Sequence, residues 1–318
     1  MISFIVIGRN IEFTVERCFE SVFRFLKENK IRRYEVIYVD SESTDNTLAL
    51  VGKYPVMAYR LEGDVNAAIG RNIGAEHATG DILFFIDGDM EILPDFFRVG
   101  FESEKKLNYP FITGDFTDIV YDEQNQQVEI KDKNKETEAR YMPVVGGLFI
   151  IHRDEWEKAG GMDNRLIRHQ DFDFGLTMAK LGLPNYRYPD LLAYHHTVSY
   201  YSSKRFREFV FDTKLLSYGI LIRKHMFNKH FYKRFFRSRK SLLIFLLSIL
   251  ALFFSREASI ILITVYVIFQ ILKLFKKRNE KASKFYVFSF NLLFDIYTLI
   301  AFLFYYPKKK QYKVIALR

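Results

Sequence analysis

Along the first ninety residues, short apolar runs alternate with segments whose apolar positions recur at helical spacing. In order these are SFIVIG, ERCFESVFRFLKEN, YEVIYVD, TDNTLALVGKY, VMAYRL, NAAIGRNIGAEHA and DILFFID. Strand-like runs that alternate with helix-like ones predict an α/β domain with a mainly parallel, Rossmann-like sheet flanked by helices. Residues 122–140, DEQNQQVEIKDKNKETEAR, are polar and predict an exposed loop or hairpin tip, with a substrate-gating flap as the alternative. Beyond them, YMPVVGGLFIIHRDEW predicts a strand entering a helix, AGGMD a turn, LIRHQDFDFGLTMAKLG a helix and YRYPDLLAYHH a final strand.

The pattern then changes. Ser241–Phe254, Ala258–Leu272 and Phe285–Tyr306 are apolar nearly all round, which predicts membrane-associated helices rather than surface helices of a soluble fold. At ~1.5 Å per residue the first reaches only ~21 Å against a hydrocarbon core of ~30 Å. The first two therefore predict either a shallow hairpin with Arg256 and Glu257 at its tip or spans that recruit flanking residues. Basic clusters precede the first segment, separate the second from the third (KLFKKRNEK) and follow the third (PKKKQYK), so three full crossings would leave the last outside: either one segment lies in the interface or the positive-inside rule is broken. Asp295, one helical turn from Asn291, reads as a helix-packing residue.

The expected organisation is thus a catalytic domain over 1–222, a basic juxtamembrane segment over 223–240, membrane-associated helices over 241–306 and a basic tail over 307–318.

The net charge of +9 sharpens this division. No acidic residue occurs between Asp212 and Glu257, while Arg223, Lys224, Lys229, Lys233, Arg234, Arg237, Arg239 and Lys240 crowd together before an apolar run. That placement predicts an anionic membrane surface as partner, and no nucleic acid. One cysteine, Cys18, excludes an intramolecular disulfide and fits a reducing compartment. MISFIVIGRN lacks a basic leader and reads as a first strand, so the expected location is the cell membrane with the catalytic domain facing the cytoplasm.

Candidate chemistry begins at FFIDGDMEI, where Asp87 and Asp89 are separated by one glycine. On a strand, residues i and i+2 share a face, so two carboxylates would project side by side at the end of the strand and repel each other. In open parallel sheets ligands bind at such carboxyl ends. Asp40 also ends a strand, before a Ser/Thr/Asp-rich turn, and Arg71 lies about one helix and one strand before the acid pair.

This order of motifs, from Ser3 to about Tyr218, closely resembles the family 2 glycosyltransferases of the GT-A fold. The resemblance implies an inverting transferase with a nucleotide-sugar donor and a glycan or lipid-linked acceptor. It further implies Asp40 at the nucleotide base or ribose, Arg71 at the donor, and Mg²⁺ or Mn²⁺ held by Asp87 and Asp89 on the donor diphosphate, Asp89 more directly. Such cations prefer carboxylate oxygens shared with substrate phosphates. An inverting transfer needs a carboxylate base, which the resemblance places at Asp171 in RHQDFDF. The preceding residue is Gln170 where the family has Glu, and Asp173 is an alternative base whose simpler role is to stabilise the helix dipole. A histidine after a Pro-initiated strand often completes the metal or diphosphate site in relatives, which points to His195, with His196 facing away.

Other positions are less specific. Arg9, where relatives carry a different turn, is a candidate donor contact or a surface ion pair. Gly146 and Gly147 suggest close backbone approach, Gly88 suggests room for phosphate or metal, and Trp156 reads as packing. Transfer onto a polyprenyl phosphate, a nucleotidyltransferase without the usual glycine-rich loop, and an inactive sugar-nucleotide binder are the alternatives.

Overall fold

The structure is a computed structural model that describes residues 1–122, 124–132, 138–143, 145–198, 214–276 and 284–317. It comprises two compact units, Met1–Ser199 together with Pro307–Arg318, and Tyr200–Tyr306.

The first unit opens with β1 (Ile2–Gly8), α1 (Val15–Glu28), β2 (Tyr34–Asp40), α2 (Thr47–Val51), β3 (Met57–Gly63), α3 (Ala67–His77) and β4 (Ile82–Asp87). It continues through β5 (Met90–Ile92), α4 (Asp95–Gly100), the small hairpin β6 (Phe101–Ser103) and β7 (Lys106–Leu107), then β8 (Phe111–Tyr121) and β9 (Gln127–Asp132). β10 (Arg140–Met142), β11 (Leu148–His152), α5 (Arg153–Ala159), α6 (Gln170–Lys180) and β12 (Asn185–Val198) follow. The main sheet runs β10-β12-β8-β11-β4-β1-β2-β3, with β5 on β12 and β9 on β8. Its β4-β1-β2-β3 half is parallel, and the antiparallel β11 makes the other half mixed.

Alternation along β4 builds both faces of the core. Phe84 packs with Phe4, Phe25 and Phe96 on the α1 side, whereas Phe85 packs with Phe149 and Trp156 on the other. Trp156 is therefore a core residue, as its sequence context suggested. α1 buries Val15, Cys18, Phe19, Val22, Phe25 and Leu26, a stripe at spacings of three and four. Strand order reverses between β1 and β4, since β2 and β3 lie on one side of β1 and β4 on the other; ligand crevices form at such a point, beyond the carboxyl ends.

The polar stretch after β8 is a hairpin in its described part. Asp122 Oδ1 accepts from the backbone N–H of Gln124 and of Gln126, both at 2.9 Å, and Asn125 takes a positive φ of 59°. Residues 133–137 lie outside the described residues.

The second unit contains α7 (Ser217–His225), α8 (Lys229–Ser238), α9 (Lys240–Ala251), α10 (Arg256–Lys276) and α11 (Lys284–Phe304). Segments Arg256–Phe275 and Val287–Phe304 are long and apolar enough to cross a membrane. The second apolar segment is longer than its sequence suggested: twenty-one residues in α10 span ~31 Å, and Arg256 and Glu257 start this helix. The burial pattern is the reverse of a soluble bundle. Ile260, Ile261, Leu272 and Phe275 are 62–64% exposed, while Ser248, Ser259, Gln270, Asp295 and Thr298 are buried.

The buried polar groups connect the helices. Tyr266 donates to Asp295 Oδ2 at 3.1 Å, and Gln270 Nε2 donates to the Tyr266 hydroxyl at 2.9 Å. Ser259 donates to the Ser248 carbonyl at 2.8 Å. Asp295 is thus a packing residue, the reading its sequence position favoured. Arg223 donates to the carbonyls of Ala301, Phe302 and Tyr305 at 2.8–3.1 Å, at the C-terminal end of α11 where the helix leaves carbonyls unpaired. α7 and α11 approach closely at Gly219, where a Cβ would stand 2.4 Å from the Thr298 carbonyl oxygen.

The last residues, expected as a separate basic tail, instead form β13 (Tyr312–Ala316), antiparallel to β3 and closing that edge of the first unit's sheet. The strand is locked by Asp64, whose N–H donates to the Gln311 carbonyl at 2.8 Å and whose Oδ2 accepts from the Gln311 N–H at 3.1 Å. Truncation after Gln311 should uncover the β3 edge, lowering the melting temperature and producing concentration-dependent association. Calorimetry and light scattering check this; an unchanged melt with no association would show that β13 does not protect the edge.

Candidate active site

A cavity of about 250 Å³ opens at the strand-order reversal, lined by residues that include Gly8, Arg9, Ser41, Asn66, Asp87 and Asp89. Its wall is the turn after β4. This turn is fixed from several directions: Asp87 N–H donates to the Gly147 carbonyl at 2.9 Å and Gly88 N–H to the Ile7 carbonyl at 2.8 Å. Thr14 donates to the Gly88 carbonyl at 3.1 Å, and His196 N–H donates to the Asp89 carbonyl at 2.8 Å. The strand ends at Asp87, so the two acids share the cavity because of this turn and not because of strand alternation. A Cβ at Gly88 would meet the Ile11 side chain at 2.2 Å; the glycine accommodates packing beside the cavity.

Asp87 is held on two sides. Its Oδ1 accepts from Arg71 at 2.5 Å, and its Oδ2 occupies the space of a Gly147 side chain, 2.1 Å from where that Cβ would stand. Burial pushes the Asp87 carboxyl up to about 6, against the pull of Arg71; Asp89 adds to the rise and His195 opposes it. Arg71 is only 4% exposed and its other amino group faces Met162 Sδ at 3.9 Å. The guanidinium expected at the donor is directed to Asp87, which supplies the positive charge that the acid pair requires.

Asp89 sits differently. Its Oδ1 is buried with no hydrogen-bond partner among the described residues, and its Oδ2 lies 3.4 Å from His195 Nε2. The other ring nitrogen of His195, Nδ1, is bonded to Asp118 Oδ1 at 2.8 Å, and Asp118 is buried. A carboxylate behind an imidazole that faces a second carboxylate is an arrangement that orients histidine toward a cation. An orphaned carboxylate oxygen, a second acid and this imidazole suit Mg²⁺ or Mn²⁺. No three His, Cys, Asp or Glu side chains among the described residues form a metal cage by themselves; such cations complete their shell with waters and substrate phosphate oxygens. Cys18, beneath the turn, is a buried thiol pushed up by burial and by Asp89, Asp87 and Glu91.

His196 faces away from His195, as alternation predicted. Its Nδ1 is 2.9 Å from the Tyr121 hydroxyl and its Nε2 is 3.2 Å from Glu91 Oε2; burial pulls its imidazole below the ordinary range. It supports the Met90–Ile92 strand from behind.

Asp40 is fully buried and does not line the cavity. Its oxygens accept from the Tyr38 hydroxyl at 3.2 Å and from Ser43 N–H at 2.8 Å, so it shapes the loop that presents Ser41. The Ser/Thr/Asp turn likewise serves the chain itself. Ser43, Thr47 and Asp45 accept from the N–H groups of Asn10, Ile11 and Glu12 at 2.9–3.1 Å, which holds the β1–α1 loop carrying Arg9. Arg9 lines the cavity, with only a 3.9 Å exposed pair to Glu42.

Asp171 lies in the first turn of α6, half-exposed, whereas Asp173 is buried and its N–H donates to the His169 carbonyl at 2.8 Å. Of the two acids, Asp171 is the accessible one. Gln170 is buried and its amide donates to the Ile167 carbonyl at 2.8 Å, a bond an ionised Glu could not donate. The substitution therefore has a local structural use. Gly147 touches Asp87, and Gly175 of α6 abuts the Pro143 carbonyl, where a Cβ would stand 2.2 Å away. Gly147 thus packs against Asp87, and Pro143, close by in the chain, packs against the helix of Asp171.

Asp118, Asn66 and Ser41 are site residues that sequence reading did not find. Asp118 pairs with His195 across neighbouring strands 77 residues apart, and nothing local marks it. Asn66, a capping residue before NAAIGRNIG, had a detectable signal as a helix start.

Residues 3–154 match the family model Glycosyl transferase family 2. The chain is 29% identical over 199 residues to the amylovoran biosynthesis glycosyltransferase AmsB of Erwinia amylovora, covering 56% of this chain and 65% of that protein. It thus spans just under two thirds of that relative's length. It is 25% identical over 259 residues to the dolichyl N-acetyl-alpha-D-glucosaminyl phosphate 3-beta-D-2,3-diacetamido-2,3-dideoxy-beta-D-glucuronosyltransferase of Methanococcus voltae, covering 71% of this chain and 75% of that one. The structure matches the mannosyltransferase PcManGT of Pyrobaculum calidifontis, solved with GDP-Man and Mn²⁺, with a TM-score of 0.57 at 15% identity, covering 95% and 87% of the two chains. At that identity the likeness establishes the fold, which is GT-A, as the sequence motifs implied.

Gly147→Ala would drive a methyl group into the place of the Asp87 carboxylate. The expected result is Mn²⁺ affinity reduced about tenfold or more with secondary structure retained, because supporting contacts of a metal ligand commonly count for that much. Electron paramagnetic resonance of free Mn²⁺ with circular dichroism measures both; wild-type affinity would contradict the tight seat inferred for Asp87.

Proposed function

We propose, from the match of residues 3–154 to glycosyl transferase family 2 and the likeness to curated glycosyltransferases, that this chain is a member of that family and moves a sugar, with inversion and a divalent cation, from a nucleotide-diphosphate donor to a hydroxyl of a lipid-linked or cell-surface glycan precursor. The observation that supports this reading most directly is the Asp89 carboxylate, with one oxygen orphaned in a cavity at the strand-order reversal and the other facing His195. The names of the relatives agree with it: amylovoran biosynthesis in one, a dolichyl-linked sugar phosphate in another, and GDP-Man with Mn²⁺ in the structural neighbour.

In this reading Asp89 and His195 hold Mg²⁺ or Mn²⁺, with Asp87 beside them and Asp118 setting the imidazole. A bound cation offsets the negative charge that develops on the departing diphosphate. Arg71 fixes Asp87, and Asp40 acts on the donor indirectly, through the loop that carries Ser41. Arg9 stands at the cavity as the cationic contact for donor phosphate or nucleotide. Asp171, half-exposed at the start of α6, takes the proton from the acceptor hydroxyl.

The membrane part of this reading draws on the two long apolar helices and on the β13–β3 pairing. β13 belongs to the same sheet as β3, so the chain that leaves the first unit near residue 199 must return to the same side. The number of crossings between them is therefore even. α10 and α11 are the two long apolar helices, and α9, at twelve residues, lies outside the count. In this reading the three-crossing arrangement drops out, and the basic block before α9 and the lysines after α11 share one side. The basic cluster KLFKKRNEK between α10 and α11 then lies on the other side, and the positive-inside rule assigns the cytoplasm to the side with the larger basic excess, that of the block before α9 and the lysines after α11.

Three outcomes are expected in assays of the full chain with a panel of nucleotide sugars and with lipid-linked hydroxyl and polyprenyl-phosphate acceptors. Turnover should require Mg²⁺ or Mn²⁺, and Asp89→Asn should lower it by ~10²-fold or more. Asp171→Asn should lower transfer by ~10²–10⁴-fold with donor binding retained; loss of donor binding instead would move Asp171 out of the base role. Mn²⁺ binding should weaken as pH falls through about 6, because the raised Asp87 carboxyl takes up a proton there and a cation needs it ionised. Transfer only to polyprenyl phosphate would replace the hydroxyl acceptor in this reading, and metal-independent turnover would remove the cation.

A further inference from the structure

We propose that Asn66 is a positioning residue that ties the donor cavity to the loop leading into Asp171. This inference rests on the transferase reading above. Asn66 does three things at once. It lines the cavity, its Oδ1 caps α3 by accepting from Ile69 N–H at 3.0 Å, and its Nδ2 donates to the Asn164 carbonyl at 2.8 Å.

The far end of that tie is a loop with its own order. Asp163 accepts from Arg165 N–H at 3.1 Å and pairs with the Arg165 guanidinium through two contacts of 2.8–2.9 Å. Leu166 is fully buried, and the loop then reaches Gln170, bonded to the Ile167 carbonyl, and Asp171. The loop therefore moves as a short ordered piece rather than as free chain, so a fixed point at Asn164 bears on where α6 begins.

α3 supplies the other fixed points. Asn72 donates to the Met162 carbonyl at 2.8 Å and to Asn164 Oδ1 at 2.6 Å, and accepts from Met162 N–H at 2.9 Å. Met162 also packs against the guanidinium that holds Asp87. One helix thus carries the counter-charge of the acid pair and both asparagines that hold the base loop. Asn66 differs from Asn72 in standing at the cavity, where a donor displacing it would be felt at Asn164. Holding a base within a fraction of an ångström of its acceptor is worth large factors in rate, and a displacement of ~1 Å costs up to ~10²-fold.

Asn66→Ser is the informative substitution, because serine also caps helices but is too short to reach Asn164, and it adds no charge beside the acid pair. In the full chain we expect an unchanged melt within a few degrees and amide hydrogen exchange across residues 162–170 about tenfold faster. We also expect kcat for transfer about tenfold lower with donor KM within about twofold. Asn66→Thr repeats the test with a second capping side chain, and Asn66→Ala, which loses cap and tie together, should also lower the melt. Unchanged exchange in both capping variants, or faster exchange with wild-type kcat, would overturn the proposal. A wild-type protein that transfers no sugar would instead overturn the transferase reading, while exchange would still decide whether the tie exists.

Discussion

The Arg71–Asp87 ion pair anchors the catalytic half of this chain, because two acids facing one cavity repel each other and one of them needs a fixed counter-charge. Arg71 is nearly buried on α3, Asp87 ends β4, and Gly147 withholds the side chain that would collide with the carboxylate. Desolvation alone would favour a protonated Asp87; the guanidinium opposes that, and the net result is a carboxyl near 6. Asp89 is thereby left as the acid with a free oxygen. The division of labour between two residues that look equivalent in FFIDGDMEI comes from this asymmetry of surroundings.

From that pair the site spreads along two routes. Through β5 and β12, Asp89 meets His195 and its supporting Asp118. Through α3, the same helix that holds Asp87 reaches the loop before Asp171. In the proposed reaction a cation on the diphosphate and a base on the acceptor would act at opposite faces of one sugar, so the elements bearing them would have to keep their spacing while substrates come and go. A helix with capped N-terminus, buried arginine and two asparagine ties is a stiff element for that task.

The second unit obeys the converse of the burial rule that builds the first. Its polar side chains bond to one another inside and its isoleucines and phenylalanines face out, an economy suited to a hydrocarbon surround, where exposed apolar atoms cost nothing and unpaired polar atoms cost much. The return of the chain to pair as β13 then constrains topology more strongly than hydropathy does. Hydropathy alone left three segments to count; in the proposed membrane reading, a strand that rejoins its own sheet admits only an even number of crossings.

Much of this was legible from the chain alone because it depends on spacing between near neighbours. Apolar periods of 2 and 3.6 set which residues share a face, so the βα order, the acid motif at a strand end, a helix within LIRHQDFDFGLTMAKLG, the opposite directions of His195 and His196 and the apolar helices could be read directly. What tertiary structure decided were pairings between distant residues: Asp118 with His195, Arg71 with Asp87, Asp40 turned inward to Ser43, Asn66 with Asn164, and Gln311 with Asp64. These depend on which strands become neighbours and how closely backbones approach, and a side chain's partner across a sheet is determined by that packing, not by the residues beside it in the chain.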